Sequence, residues 1–292
     1  MKNIVNLLKC ILIIIIFLGI IEYFENNEIK IDKPITTNNN LEIYFLDVGE
    51  ADSTLIRKDN TNILIDGGNN KDGKKLVNYF KSLNIDTFDY VIATHPHEDH
   101  IGGLDYIIRE FNVNNYLNID IKIDSLTYED IIKETDKKGI ERKVPKIDEE
   151  FNINDLNFKI LYLDNNYEDI NNSSMVVRLV YKNTSYLFMA DAEKETEEKI
   201  LDKDIKSDVL KVGHHGTQYA TSANFISKVK PRYSIISCGL NNDYGFPKQV
   251  VLEKLEKINS KIYRTDLDHT IKLISDGESI NVETIETDTN SE

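Results

Sequence analysis

The stretch Thr94-His95-Pro96-His97-Glu98-Asp99-His100-Ile101-Gly102-Gly103 holds three of the chain's six histidines within six residues. It follows an apolar run, Asp89 to Thr94, that reads as a strand, so the cluster is predicted at a strand end, on a rim facing a cleft. His95 and His97 stand two apart in a non-helical turn held by Pro96, and both imidazoles can converge on one cation. Asp99 and His100 are adjacent and can face a second. Nitrogen and carboxylate donors together suit zinc, manganese or iron. Gly102 and Gly103 are expected to let the backbone turn tightly behind them.

Two further strand ends carry the same kinds of side chain. Tyr186 to Met189 reads as a strand running into Asp191-Ala192-Glu193, before a helix predicted over Glu193 to Leu201. Taken alone, Asp191 reads better as the cap of that helix than as a ligand. Beside a histidine cluster, a carboxylate bridging two cations is the better reading. Val209 to Val212 is a strand that ends on Gly213-His214-His215-Gly216. One histidine of the pair is expected to be a ligand, and the other to support it or to contact substrate.

Working outward, further strands are predicted at Leu41 to Val48, Ser53 to Arg57, Asn62 to Ile65, Leu156 to Leu163, Ser174 to Tyr181, Tyr233 to Cys238, Lys261 to Tyr263 and Thr270 to Ile274. Helices are predicted over Lys74 to Leu83, Tyr128 to Lys138 and Lys248 to Ile258. Strands outnumber helices, which predicts two mixed sheets with outer helices rather than one doubly wound sheet.

The chain has 292 residues, with 35 Lys+Arg against 50 Asp+Glu and a net charge of −15. Its 40% hydrophobic and 29% charged residues suit a globular domain of roughly 200–250 residues with an appendage. Cys10 and Cys238 are too far apart in context for a disulfide scaffold or a thiolate metal cluster. The acidic balance disfavours a broad nucleic-acid footprint. Lys206, Lys211, Lys228, Lys230 and Arg232 bracket the last histidine motif and could form a small local basic approach.

Lys2 and Lys9 precede the apolar run Cys10 to Ile21, which reads as a signal anchor or signal peptide over residues 1–24. The lysines would stay inside, so the domain is expected outside the cytoplasm, anchored to the membrane through this segment or secreted. Residues 25–40 read as a polar linker, 41–282 as the folded domain and 283–292 as an acidic tail.

With these motifs in hand, the sequence resembles the metallo-β-lactamase fold superfamily, whose signature is H-x-H-x-D-H. More narrowly it resembles the metallo-β-lactamase-like domain of ComEC-type competence proteins and their free-standing relatives. Phe45 to Asp52, Asn171 to Ser174, Asp191 to Glu193, Lys211 to Gly216, Asn242 to Gly245 and Arg264 to Asp266 carry the narrower likeness. The resemblance implies a four-layer αββα sandwich, two mixed β-sheets flanked by helices, with metals at one edge between the sheets. It implies metal ligands His95, His97, Asp99, His100, Asp191 and His214 or His215. Asp99 and Asp191 would be catalytic, the first orienting a water and the second bridging two divalent cations, zinc ahead of manganese. Asp66 would orient a ligand, and Asp52, Asn172, Ser173 and His269 are candidates to support the site or meet substrate.

The resemblance further implies a metal-dependent hydrolase, foremost a phosphodiesterase or nuclease-like activity on a phosphodiester or other small substrate. An amide, ester or lactone hydrolase and a degenerate metal-binding interaction module are the alternatives. Three departures stand out. No histidine occurs between His100 and His214, where the wider superfamily has another ligand; a water or an asparagine carbonyl from Asn171 to Ser174 is expected there, or His269 in substitution. Phe246 replaces the histidine of a usual Tyr-Gly-His-Pro. Glu50-Ala51 replaces a usual Gln-Gly and puts a carboxylate near the mouth.

Overall fold

In the strand Thr61–Ile65 every residue is buried, and its side chains divide by parity: Ile63 and Ile65 join one apolar cluster, Leu64 another. That alternation recurs along both sheets and generates the layers. The computed structural model describes residues 40–165 and 168–286. The expected anchor at 1–24, nearly all of the linker and the end of the acidic tail lie outside the described residues, and Cys10 with them. No described helix is long and apolar enough to cross a membrane.

The first sheet has eight strands in the order Ile280–Ile285, Thr270–Ser275, Leu41–Phe45, Thr54–Lys58, Thr61–Ile65, Tyr90–Ile92, Tyr116–Leu117, Arg142–Lys143. It is antiparallel up to Thr61–Ile65 and parallel beyond. The second has seven, in the order Lys261–Arg264, Tyr233–Ile236, Val209–Lys211, Thr184–Phe188, Val176–Tyr181, Leu156–Tyr162, Glu150–Ile153. It too is half parallel, from Thr184–Phe188 to Lys261–Arg264.

Between the sheets lie Ile43, Phe45, Ile63 and Ile92 of the first, with Phe158, Leu179, Phe188 and Val209 of the second. Phe45 and Phe188 meet across this layer, their ring centroids 6.2 Å apart. The outer face of the first sheet packs Leu55, Leu64 and Val91 on helices Gly73–Ser82, Leu104–Glu110 and Leu126–Lys138. The outer face of the second packs Leu187 and Leu210 on helices Ala223–Val229 and Gln249–Lys257. This is the expected αββα sandwich. The strand Ile280–Ile285 corrects the tail's boundary: Glu283 stands opposite Lys272 in the ladder, so the acidic residues begin inside the sheet.

Candidate metal centre

The first wall of the cleft grows from the parallel strand Tyr90–Ile92. Beyond it the backbone N–H of Thr94 donates to Asp66 Oδ1 (2.9 Å) and its hydroxyl to Oδ2 (2.7 Å). The same Oδ2 lies 2.8 Å from His100 Nδ1, so Asp66 stands against the ring of His100. His97 is the extended N-cap of a short helix, Glu98–Ile101, which carries Asp99 and His100 back toward Asp66. His95 Nδ1 lies 3.3 Å from the hydroxyls of Thr94 and Ser174, which leaves Nε2 aimed inward, 3.1 Å from His97 Nδ1. Gly102 is not a tight turn, as its spacing suggested. Its φ of −55° is helical, and a Cβ would stand 2.2 Å from the backbone nitrogen of Asn70. Close backbone approach, not conformational freedom, is what excludes a side chain there.

The second wall comes from strands Thr184–Phe188, Val209–Lys211 and Tyr233–Ile236. Their parallel register sets Phe188, Lys211 and Ile235 side by side, so their ends are level. The first delivers Asp191. The second delivers His214 and His215, both at left-handed backbone (φ 46° and 51°), with His214 N–H donating to Ala190 O at 2.8 Å. His214 Nδ1 lies 2.8 Å from Glu193 Oε1, and His215 Nδ1 lies 2.9 Å from Ser237 O. Asp191 Oδ1 stands 3.1 Å from His100 Nε2 and 3.6 Å from His215 Nε2; its Oδ2 stands 3.7 Å from His214 Nε2 and 3.8 Å from His95 Nε2. Asp99 Oδ2 is 3.3 Å from His215 Nε2.

The donors fit divalent cations. Asp99, His100, Asp191 and His215 form one group, and His95, His97 and Asp191 another, each with its ligand atoms within 4.8 Å of one another. Asp191 Oδ1 and His100 Nε2 are buried and have no hydrogen-bond partner among the described residues, despite their 3.1 Å separation. Buried lone pairs left in this way point to a ligand. The carboxylates dominate the field at the site, which draws in a proton or a metal cation alike. Burial opposes the charged form of His100, but the carboxylates of Asp191, Asp66 and Asp99 overcome it and hold the imidazole well above its usual range. Burial likewise opposes ionisation of Asp191, yet His100 and His215 hold its carboxyl well below the carboxylate range.

The cleft measures about 760 Å³, and its lining includes Glu50, Glu98, Asn171, Glu193 and Tyr244 besides the ligand candidates. Not every expected residue reaches it. Asn172 is buried beneath, where its Oδ1 accepts from the backbone N–H groups of Glu193 and Thr196. It thereby performs the helix-capping that Asp191 could have performed. Ser173 donates to Asp169 O, outside the lining. His269 is half-exposed, 3.7 Å from Asp47, and belongs to neither donor group, so it does not replace the missing histidine. Asp52 is buried and lies 2.8 Å from Lys211 Nζ.

That ion pair also corrects the local basic approach. Alternation along Val209–Lys211 turns Lys211 toward the other sheet. The other four cations are exposed but precede their strands, at the ends opposite the histidines. Lys71 is the one lysine or arginine in the described lining. The sequence alone did not point to Glu193, Ser174 or the carbonyl of Ser237 as partners of the candidate histidines. Glu193 alone left a signal, as a carboxylate two residues beyond Asp191.

A two-sheet αββα sandwich with a histidine and carboxylate cluster at the level ends of its parallel strands defines a class of metal-dependent hydrolases. The chain belongs to the metallo-beta-lactamase superfamily, which residues 46–240 match. Its curated relatives are competence proteins and their kin. It is 29% identical to ComE operon protein 3 of Bacillus subtilis over 252 residues, covering 79% of this chain and 32% of that protein. It is 28% identical to Recombination protein 2 of Haemophilus influenzae over 276 residues, covering 92% and 32%. The chain thus spans about a third of the length of these relatives. Among solved structures it resembles the metallo-beta-lactamase fold protein YhfI of Bacillus subtilis, with TM-score 0.52 and 12% identity over 77% of this chain and 96% of that one. It also resembles CmlA, a diiron β-hydroxylase of Streptomyces venezuelae, with TM-score 0.53 and 12% identity over 85% and 54%. At these identities the likeness is one of fold.

Proposed function

We propose that the domain hydrolyses phosphodiesters with two divalent cations, zinc ahead of manganese. His95, His97 and Asp191 hold one, and Asp99, His100, Asp191 and His215 hold the other. The observation that carries this reading is Asp191, a buried carboxylate common to both donor groups, with one oxygen lacking a hydrogen-bond partner. Cations bound in such a site bring the pKa of water toward neutrality and stabilise charge developing on a phosphoryl oxygen.

The chain's own residues do the rest. Asp66, Glu193 and Ser237 O fix the tautomers of the ligand histidines, leaving Nε2 free to face inward. Asp99 keeps 31% of its side chain exposed at the mouth, where it can accept a hydrogen bond from the attacking water and align it. Glu50, Glu98 and Glu193 against Lys71 repel a polyanion and favour a short, singly charged ester. Exposed Tyr219 and Tyr244 offer ring faces to its organic part. The competence and recombination proteins among the relatives point to nucleic acid as one source of that ester, which the acidic lining would admit as a short fragment and not as a long strand. Residues 1–24 would hold the domain outside the cytoplasm.

The test is turnover of bis(p-nitrophenyl)phosphate by the full chain with added zinc or manganese. Asp99→Asn is expected to lower it by about 100-fold or more, with the melting temperature preserved. Turnover of lactams, esters or thioesters alone would replace this reading with the amide or ester one. Bound metal without turnover of any of them would leave an interaction module.

A further inference from the structure

We infer that His214 is the third imidazole of the first cation site, filling the role of the histidine that the chain lacks between residues 100 and 191, while its neighbour His215 serves the second site. This assignment rests on the two-cation reading above.

The carboxylate of Asp191 sorts four imidazoles by its two oxygens. Oδ1 faces Nε2 of His100 (3.1 Å) and of His215 (3.6 Å), whereas Oδ2 faces Nε2 of His95 (3.8 Å) and of His214 (3.7 Å). His214 therefore shares Oδ2 with His95, although its ring nitrogen lies outside the 4.8 Å group formed by His95, His97 and Asp191, whereas His215 belongs to the group of His100 and Asp99. Two consecutive residues can reach opposite sides of one carboxylate here because both take left-handed backbone (φ 46°, ψ 56° and φ 51°, ψ 19°). That conformation costs a non-glycine residue on the order of 1 kcal/mol or more and persists only where the surroundings impose it.

The surroundings do impose it. The backbone of His214 is held at both ends, by its N–H to Ala190 O and by its carbonyl from Thr217 N–H, each at 2.8 Å. Its ring is held by Glu193 on Nδ1 and by the ring of Phe246, 5.8 Å away at 67°. A carboxylate on Nδ1 leaves the Nε2 lone pair free for a cation. The competing donor is Asn171, whose buried Oδ1 lines the cleft and has no hydrogen-bond partner among the described residues. An amide oxygen is the poorer zinc ligand, which favours the imidazole.

Metal counting decides, without recourse to activity. The full chain would be stripped, reloaded with zinc, dialysed and assayed by elemental analysis, with far-UV circular dichroism as the check on folding. Wild type is expected to retain two ions. His95→Ala, His214→Ala and the double variant H95A/H214A are each expected to retain one, because both residues serve one site. H214A/H215A is expected to retain none. His214→Asn stands in for the alanine variant if that one misfolds. The assignment is overturned if H95A/H214A retains none, since the two histidines then serve different sites. It is also overturned if His214→Ala retains two ions, and Asn171→Ala retaining one would then name Asn171 as the ligand instead. A wild type holding fewer than two ions would overturn the two-cation reading itself, and this assignment with it.

Discussion

The first wall of the cleft takes four side chains from six consecutive residues, His95 to His100, whereas the second gathers Asp191, His214 and His215 from two separate strand ends. In the first, geometry is local: an extended N-cap at His97, one turn of helix, and Asp66 beneath. In the second, geometry depends on register. Phe188, Lys211 and Ile235 must stand level for Ala190, His214 and Ser237 to hydrogen-bond as they do. A slip of one residue would turn every inward side chain of a strand to the opposite face. A contiguous motif survives small errors of packing; a gathered one requires the sheet to be right first.

The largest expected effect lies at the seam. Lys211 of the second sheet and Asp52, in the loop before Thr54–Lys58 of the first, form a buried ion pair joining the walls. Lys211→Met strands a buried carboxylate and should cost about 3–5 kcal/mol in urea unfolding, most of it recovered on adding Asp52→Leu. A loss below about 1 kcal/mol would mean that the walls are not joined there.

Next come the glycines where loops touch. A Cβ on Gly102 of the first wall meets backbone at 2.2, 2.3 and 2.6 Å; one on Gly213 of the second meets a single backbone oxygen at 2.5 Å. Gly102→Ala is expected to cost about 2–3 kcal/mol, and Gly213→Ala less, by the same unfolding measurement. The reverse order would make the second wall the tighter one.

Smaller again is the loss of an orienting carboxylate. Asp66→Asn and Glu193→Gln should each weaken zinc binding by about 10–100-fold, or about 1.4–2.7 kcal/mol. Asp66 should have the greater effect, because it is buried and holds Thr94 as well as His100. Titration calorimetry on the two variants would rank them.

The smallest effect appears only in alkali. Cys238, beside the carbonyl that holds His215, is buried, and burial followed by its hydrogen bond to Asp266 pushes the thiol from its ordinary value near 9 to about 12. Between those values the native state keeps a proton that the unfolded chain has lost, so stability falls as pH rises from about 9 toward about 12. Cys238→Ala should flatten that part of the pH dependence, on top of a loss from its packing that is the same at pH 8 and pH 10. Urea midpoints at pH 8 and pH 10 would check it.

The first wall was legible in advance because its donors are neighbours in the chain. The two mixed sheets followed from the strand count. The helices Leu104–Glu110 and Ala223–Val229 went unread, since short apolar runs such as Leu104, Ile107 and Ile108 carry little periodicity of their own. The partners of the ligands were also hidden. Ser174 and Ser237 O meet their histidines across distances in sequence that no spacing rule connects, and Glu193 showed only as a carboxylate two residues beyond Asp191.

Residue order alone therefore determined the donor types, the strand-end positions and the alternation that builds the layers, because all three depend on near neighbours along the chain. Only the tertiary structure decided that Lys211 is an inward partner of Asp52, that Asn172 is a cap, and that Asp191 divides His214 from His215. Each of those depends on how two sheets pack and which strand ends come level, a property of long-range contacts and not of any one segment.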